Sequence, residues 1–174
     1  MIEVADLRDG MLTGNVQPVQ LPPPPKNNTP VGLVTRGDEA YVTIAHSDEV
    51  GLVKNGKLVT VVSSQTEHAP CWLALTGSSL YCSNIPSKSI SRYKVSDNSL
   101  TLAEPIAAKI QDGEPTDIAA EGEIVAVLDL GKGAAHLSQF KTDNTGKLKL
   151  LNTTPTASGA NGIAIMYMDT ASKK

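Results

Sequence analysis

Aligned on Pro30, Pro70 and Pro115, the chain repeats one pattern three times. "PVGLVTRGDEAYVTIAHSDEVGLVKNGKLVTVVS" returns as "PCWLALTGSSLYCSNIPSKSISRYKVSDNSLTLAEP", and again as "PTDIAAEGEIVAVLDLGKGAAHLSQFKTDNTGKLKLLN". The starts lie 40 and 45 residues apart, and "ANGIAIMYMD", with Ala160 in place of the proline, opens a fourth unit 45 residues later. Each full unit holds four short apolar runs. They are separated by turn residues such as Gly37-Asp38, Asn55-Gly56, Gly77-Ser78, Asp97-Asn98, Glu121-Gly122 and Thr145-Gly146. Inside the runs apolar residues alternate with period two, and Val, Ile, Tyr and Thr are common, which predicts strands. Nothing recurs at the three-and-four spacing of a helix.

Four antiparallel strands in every ~40–50 residues is the pattern of a β-propeller blade. The predicted fold is therefore all-β, a β-propeller of four-stranded antiparallel blades. Residues 30–63, 70–104 and 115–152 make three complete blades. Residues 1–21 fit only the outer two strands of a blade, turning at Asp9-Gly10, and 159–168 fit only the inner strand of a last one, before a polar tail at 169–174. The segment 21–28, "LPPPPKNN", reads as an extended connector between blades. The segment 103–110, with Pro105, reads as the end of an outer strand and the loop after it. Blades pack face to face, so an arc with partial blades at both ends leaves apolar faces and strand edges exposed. That predicts self-association or a missing N-terminal half.

With 174 residues the chain can bury a sizeable core. A formal net charge of -3 and no run of Lys or Arg argue against nucleic acid as a partner. No apolar stretch approaches the ~18 residues that would span a bilayer, so no membrane association is expected. The acidic start Met1-Ile2-Glu3-Val4-Ala5-Asp6 is not a secretory signal. Localisation stays open between cytoplasmic and, with an upstream signal, secreted. Cys71 and Cys82 sit in the two arms of one predicted hairpin. If Leu75 faces Leu80, then Cys71 faces Asn84 and Cys82 faces Leu73, which makes the cysteines diagonal neighbours. They read as buried small apolar side chains, and the alternative, a disulfide, would be strained.

The motifs "YCSN" (81–84), "SISRYKV" (89–95), "EPTDIA" (114–119) and "SGANGIAIM" (158–166) resemble the lactonase-type seven-bladed β-propellers. That group includes propeller-type 6-phosphogluconolactonases and carboxymuconate cyclases. The likeness covers essentially the whole chain. It implies a lactone hydrolase or cycloisomerase acting on a small lactone or carboxylate; no metal and no organic cofactor are expected, because the His46–His68 pair lacks a third close ligand and no cofactor-binding motif is present. It also implies that this chain corresponds to the C-terminal half of a longer one or to a shortened product, inactive if its site is incomplete. The alternative is a non-catalytic propeller that binds a protein partner or a small ligand.

In a propeller the loops entering each inner strand share one rim with the loops leaving each second strand. His46, Glu67, His68, Glu114, Asp117 and Asn161 fall on that rim. Lactone chemistry needs a proton donor or acceptor beside the ring oxygen, so His68, Glu67 and His46 are the candidate catalytic residues. Asp117, Glu114, Asn161 and Trp72 are the candidate substrate contacts. No residue set of metal-ligand spacing, nucleophile elbow or phosphate-cradling glycine loop is present. Arg36 is expected on the opposite rim and Arg92 on a third strand away from the channel. His136, on a glycine-rich loop leading into a third strand, reads as structural or exposed.

Overall fold

The prolines at the head of each repeat open the inner strand of a blade. In the computed structural model, which describes residues 1–21, 28–111, 113–131 and 133–166, fourteen strands follow one another. The first blade is β3 (Pro30–Arg36), β4 (Glu39–Ile44), β5 (Glu49–Lys54) and β6 (Lys57–Ser63). The second is β7 (Pro70–Thr76), β8 (Ser79–Asn84), β9 (Ser89–Ser96) and β10 (Ser99–Lys109). The third is β11 (Gly113–Glu121), β12 (Ile124–Gly131), β13 (Ala135–Thr142) and β14 (Leu148–Thr156). Each is a four-stranded antiparallel meander in sequence order. Ahead of them β1 (Ile2–Arg8) and β2 (Met11–Val19) form a two-stranded sheet that turns at Asp9-Gly10. The protein is an all-β, partial β-propeller.

Period-two patterning decides which side chains meet between blades. Tyr41, Val50 and Leu52 of the first blade pack on Leu73, Leu80, Cys82, Tyr93 and Val95 of the second. Tyr81 and Ile90 of the second then pack on Ile118, Val125, Val127 and Phe140 of the third. On the other face of the first blade, Val42 and Val53 receive Ile2 and Val19 of the hairpin. The hairpin thus occupies the place of the outer strands of a preceding blade. Burying side chains of this size contributes roughly 1.5–3 kcal/mol each, which makes the seams the main source of cohesion.

A one-residue bulge follows the proline of every inner strand. Pro30 pairs with Ile44 but Leu33 with Val42; Pro70 pairs with Asn84 but Leu73 with Cys82; Pro115 pairs with Asp129 but Asp117 with Leu128. The bulge turns Gly32 onto the next blade, where an added Cβ would overlap the Cys71 carbonyl. Thr43 braces the junction, its hydroxyl accepting from the Gly32 amide at 2.8 Å and donating to the Cys71 carbonyl at 2.8 Å.

Several sequence expectations change here. The register Leu75–Leu80 and Leu73–Cys82 holds, but the bulge puts Pro70, not Cys71, opposite Asn84, and both cysteines are free and buried. The second blade's outer strand runs past Glu104 to Lys109. Pro105 is accommodated because this is an edge strand, with register shifts on both sides of Glu104. Among the described residues a 3-10 turn, Ala45–Ser47, is the one helical element. Among the described residues 159–166 no strand forms, so the inner strand expected at 159–168 is not seen there. An inner strand needs a second strand of its own blade to complete its ladder, and none is paired with it. The connector at 22–27, residues 167–168 and the tail at 169–174 lie outside the described residues.

Candidate functional site

The pair between second and third strands that lies level with the inner-strand proline changes character from blade to blade. It is Ile44–Glu49 in the first, Asn84–Ser89 in the second and Asp129–His136 in the third. In the first blade the apolar Ile44 has no polar chemistry to offer. In the second, Asn84 Nδ2 donates to the hydroxyls of Ser89 (3.1 Å) and Ser91 (2.8 Å). In the third, the Asp129 carboxylate lies 3.3 Å from His136 Nδ1, with Asp129 1% exposed.

That last pair borders an open cavity of about 760 Å³ at the junction of the second and third blades. Its lining includes Lys88, Gly113, Glu114, Leu130 and His136. The floor is built by close backbone approach, since a Cβ on Gly113 would overlap the Asp129 carboxylate and the Leu130–Gly131 peptide. Lys88 sits in the loop between β8 and β9 with a left-handed backbone (φ 50°), held by its amide to the Ile85 carbonyl and by the Ile110 amide to its own carbonyl. A non-glycine residue at positive φ costs on the order of 1 kcal/mol, and such positions cluster at functional sites. Among the described residues Lys88 and Glu114 are both exposed, so the groove offers a cation, a carboxylate and an oriented imidazole.

The residues expected from sequence to form the site are distributed differently. Glu67 is buried at 3% exposure, where it accepts a short hydrogen bond from Ser89 and lies 3.6 Å from the Lys109 ammonium. It therefore anchors the loop entering β7. His68 is exposed, with Nδ1 3.1 Å from an Asp48 carboxylate oxygen; the other oxygen of Asp48 accepts from the Ala69 amide at 2.9 Å. His46, exposed on the 3-10 turn, has Nδ1 2.9 Å from the Thr29 hydroxyl. Asp117 accepts from the amides of Ile118 and Ile163, both at 2.8 Å, and so brings the segment carrying Asn161 to the inner edge of the third blade. Asn161 itself is exposed. Trp72 stands on β7, its amide donating to the Ser83 hydroxyl at 3.1 Å and its residue 38% exposed. Only Glu114 of the expected set lines the third-blade cavity.

Sequence reasoning passed over Lys88, Asp129 and His136. The available signal was the spacing in "DLGKGAAH", an acid and a histidine symmetric about a glycine-rich turn, which places them opposite each other in an antiparallel pair. Among the described residues no group of three or more His, Cys, Asp or Glu is placed to hold a metal ion. No helix among them is long and apolar enough to cross a membrane.

The opposite rim carries the seams between blades. Tyr41 donates to Glu39 at 2.6 Å, Arg36 donates to the same carboxylate oxygen at 2.8 Å, and the Asn98 amide of the next blade donates to the other oxygen at 2.8 Å. These three donors hold the Glu39 carboxyl down at about 2, the Tyr41 hydroxyl foremost, although burial pushes the other way. The same burial raises the Tyr41 phenol. One seam further on, Tyr81 donates directly to the Gly146 carbonyl at 2.6 Å, and Arg92 donates to the Thr145 carbonyl at 2.8 Å. Both arginines expected away from the site are there, engaged in these seams.

No protein-family model matches the sequence. No curated protein matches it either. Solved structures do. The chain is similar to a Bacteroides uniformis protein described as a "putative 6-phosphogluconolactonase", with TM-score 0.71, 15% identity, and 92% of this chain and 52% of that one covered. The chain has a lactonase-like β-propeller fold. It is also similar to Kuenenia stuttgartiensis hydrazine synthase, with TM-score 0.61, 20% identity, and 74% of this chain and 36% of that one covered. A Lactobacillus plantarum protein gives TM-score 0.57 at 17% identity over 75% of this chain and 42% of its own. The chain spans about half or less of the length of each of these structures, and identities this low speak to the fold alone.

Proposed function

We propose that this propeller binds a small lactone or hydroxycarboxylate in the groove between its second and third blades and opens or closes the lactone ring there. The observation that carries the reading is the buried Asp129 beside His136 on the wall of the Lys88–Glu114 groove. With Nδ1 committed to Asp129, the imidazole is oriented and Nε2 is the nitrogen left for the substrate. In hydrolysis Nε2 takes the proton of a water as the water oxygen bonds to the lactone carbonyl carbon. The ring C–O bond then breaks, and the leaving alkoxide takes the proton back from the imidazolium, which restores the neutral ring. Lys88 offsets the negative charge that gathers on the carbonyl oxygen. The fold similarity to a protein described as a lactonase supports the substrate class, and the residues support the proton transfer.

A second position for the same chemistry is the His68–Asp48 pair, the only one of the expected catalytic groups that retains an oriented and exposed imidazole with a carboxylate partner. Glu67 favours the non-catalytic reading at that place, because its carboxylate is already engaged by Ser89 and Lys109.

Ring-opening assays on a panel of aldonolactones and muconolactones, with wild type, His136→Gln, Asp129→Asn and His68→Ala, separate these cases. Loss of turnover by about tenfold or more in His136→Gln and Asp129→Asn, with His68→Ala unchanged, supports the groove. The reverse pattern moves the chemistry to His68. Saturable binding without turnover in wild type supports the ligand-binding propeller.

A further inference from the structure

Ile2 and Val19 close an apolar joint between the hairpin and the first blade. Beside that joint a second open groove, of about 740 Å³, runs between β1–β2 and the turn from β5 to β6. Its volume falls inside the ~300–1,000 Å³ of small-molecule sites. Val4, Pro18 and Leu58 supply its apolar surface. Its polar surface is mostly carboxamide, with Asn15, Gln17 and Gln20 on the hairpin side and Asn55 on the turn. Asp6 and Lys57 add one charge of each sign, so the described lining carries no net charge.

These polar side chains are uncommitted. None of the six has a hydrogen bond or ion pair with another described residue. The nearby Lys54, by contrast, is drawn away to Asp38 at 3.2 Å and Glu39 at 4.0 Å. The turn that carries Asn55 is stiff. Asn55 (φ 50°) and Gly56 (φ 69°) are both left-handed and are closed by the Lys54–Lys57 pair, the two-residue geometry that matches the twist of its flanking strands. Asn55 is therefore held at the edge of the groove before any ligand arrives.

The lining narrows the class of ligand. A carboxamide presents a donor and an acceptor in one plane, which matches two adjacent hydroxyls of a sugar ring. Balanced charge gives no basis for selecting an anion or a cation. Among the described lining residues none is aromatic, so a flat heterocycle has nothing to stack on. An added peptide strand is disfavoured as well. Pro18 brings no N–H to the edge of β2, and Gly14 at φ 81° interrupts its extended run.

We propose that this groove binds a neutral carbohydrate of one or two pyranose units. The amides of Asn15, Gln17 and Asn55 bridge neighbouring hydroxyls, and the C–H face of the ring lies on Val4 and Leu58. The ligand joins the hairpin to the first blade. This site is separate from the groove between the second and third blades and does not depend on the reaction proposed there.

Maltose, cellobiose and lactose, titrated into the full chain and followed by saturation-transfer NMR and isothermal titration, test the proposal. At least one should bind saturably, slow hydrogen exchange in β1, β2 and the 55–56 turn, and raise the melting temperature as its concentration grows. Asn15→Ala with Gln17→Ala should weaken binding by about tenfold. Asn55→Gly, which keeps the left-handed turn, should weaken it by about threefold. Both should retain the wild-type circular dichroism spectrum, and His136→Gln should bind the sugar as wild type does. Absence of saturable binding by all three sugars would overturn the proposal. So would binding that survives the amide substitutions, or binding lost in His136→Gln, which would put the sugar between the second and third blades.

Discussion

The hydroxyl of Tyr41 donates a 2.6 Å hydrogen bond to the carboxylate of Glu39, and the other oxygen of that carboxylate accepts from the amide of Asn98 in the following blade. The aromatic ring contributes to the apolar seam while its polar tip satisfies a buried charge, so one side chain serves both layers of the joint. Tyr81 occupies the equivalent place in the second blade and grips Gly146 of the third. At the corresponding position of the third blade stands Ala126.

Glu39 should make the protein acid-sensitive in a defined window. Its carboxyl is lowered from 4.5 to about 2, so its contribution is present above the unfolded value of 4.5 and is lost as pH falls toward 2. At 1.36 kcal/mol per pH unit the contribution is on the order of 3 kcal/mol. Urea unfolding followed from pH 6 to pH 2 should show this loss in wild type. Glu39→Gln should be less stable at pH 6 and should flatten that part of the profile. An unchanged slope in the variant would mean that other carboxylates dominate acid unfolding.

Gly146→Ala should be among the most damaging small substitutions. The residue has φ 83°, and an added Cβ would overlap the Ser79 hydroxyl and press on Arg92, disturbing the carbonyl that Tyr81 holds. A loss of about 2–3 kcal/mol is expected, against about 1 kcal/mol for Gly37→Ala, where φ is 59° and nothing lies within 4 Å. Tyr81→Phe should cost about 1 kcal/mol or somewhat more, because it also leaves the Gly146 carbonyl without its donor. Equal costs for the two glycines would contradict the packing argument.

Much of this architecture was legible in the chain before any coordinates. The prolines at 30, 70 and 115, the turn pairs between runs and the alternation within them were enough to place three meanders. The bulge after each proline was not, because it adds no residue type of its own. It moved Cys71 out of register with Asn84. The site was less legible for the same kind of reason. Glu67 was read as a catalytic acid from its place on the rim, but the loop before Pro70 folds it under Ser89. His136 was read as structural or exposed because its partner, Asp129, is brought to it only by the strand register across Gly131 and Gly133.

Both cysteines should be inert in the folded protein. Burial raises each thiol, Cys82 strongly, and disfavours the thiolate that attacks an aromatic disulfide reagent. Thiol titration should find no fast-reacting group in native buffer and two in denaturant. A single fast group under native conditions would indicate that Cys71, the more accessible of the two at 8%, is reached through opening of β7.

Gly113→Ala should separate site from scaffold. The new methyl meets the Asp129 carboxylate and the Leu130–Gly131 peptide, so it displaces the partner of His136. Ligand binding or turnover in the groove should fall by about tenfold or more. Gly133→Ala, with φ 88° but open space around it, should cost stability of about 1 kcal/mol while preserving binding. Isothermal titration with the ligands found in the ring-opening panel, alongside thermal melts, reads both quantities.

The principal joints between blades link neighbours in sequence: β3 and β4 meet β7, β5 and β6 meet β10, and β7 and β8 meet β11. Cooperativity in such a chain is passed from unit to unit, like dominoes standing in a row. Its weakest links are the units with one neighbour, so heat or denaturant should strip the third blade and the hairpin before the second blade melts. Hydrogen exchange would record this as a gradient of protection, steepest at Tyr81 and shallowest at the two ends.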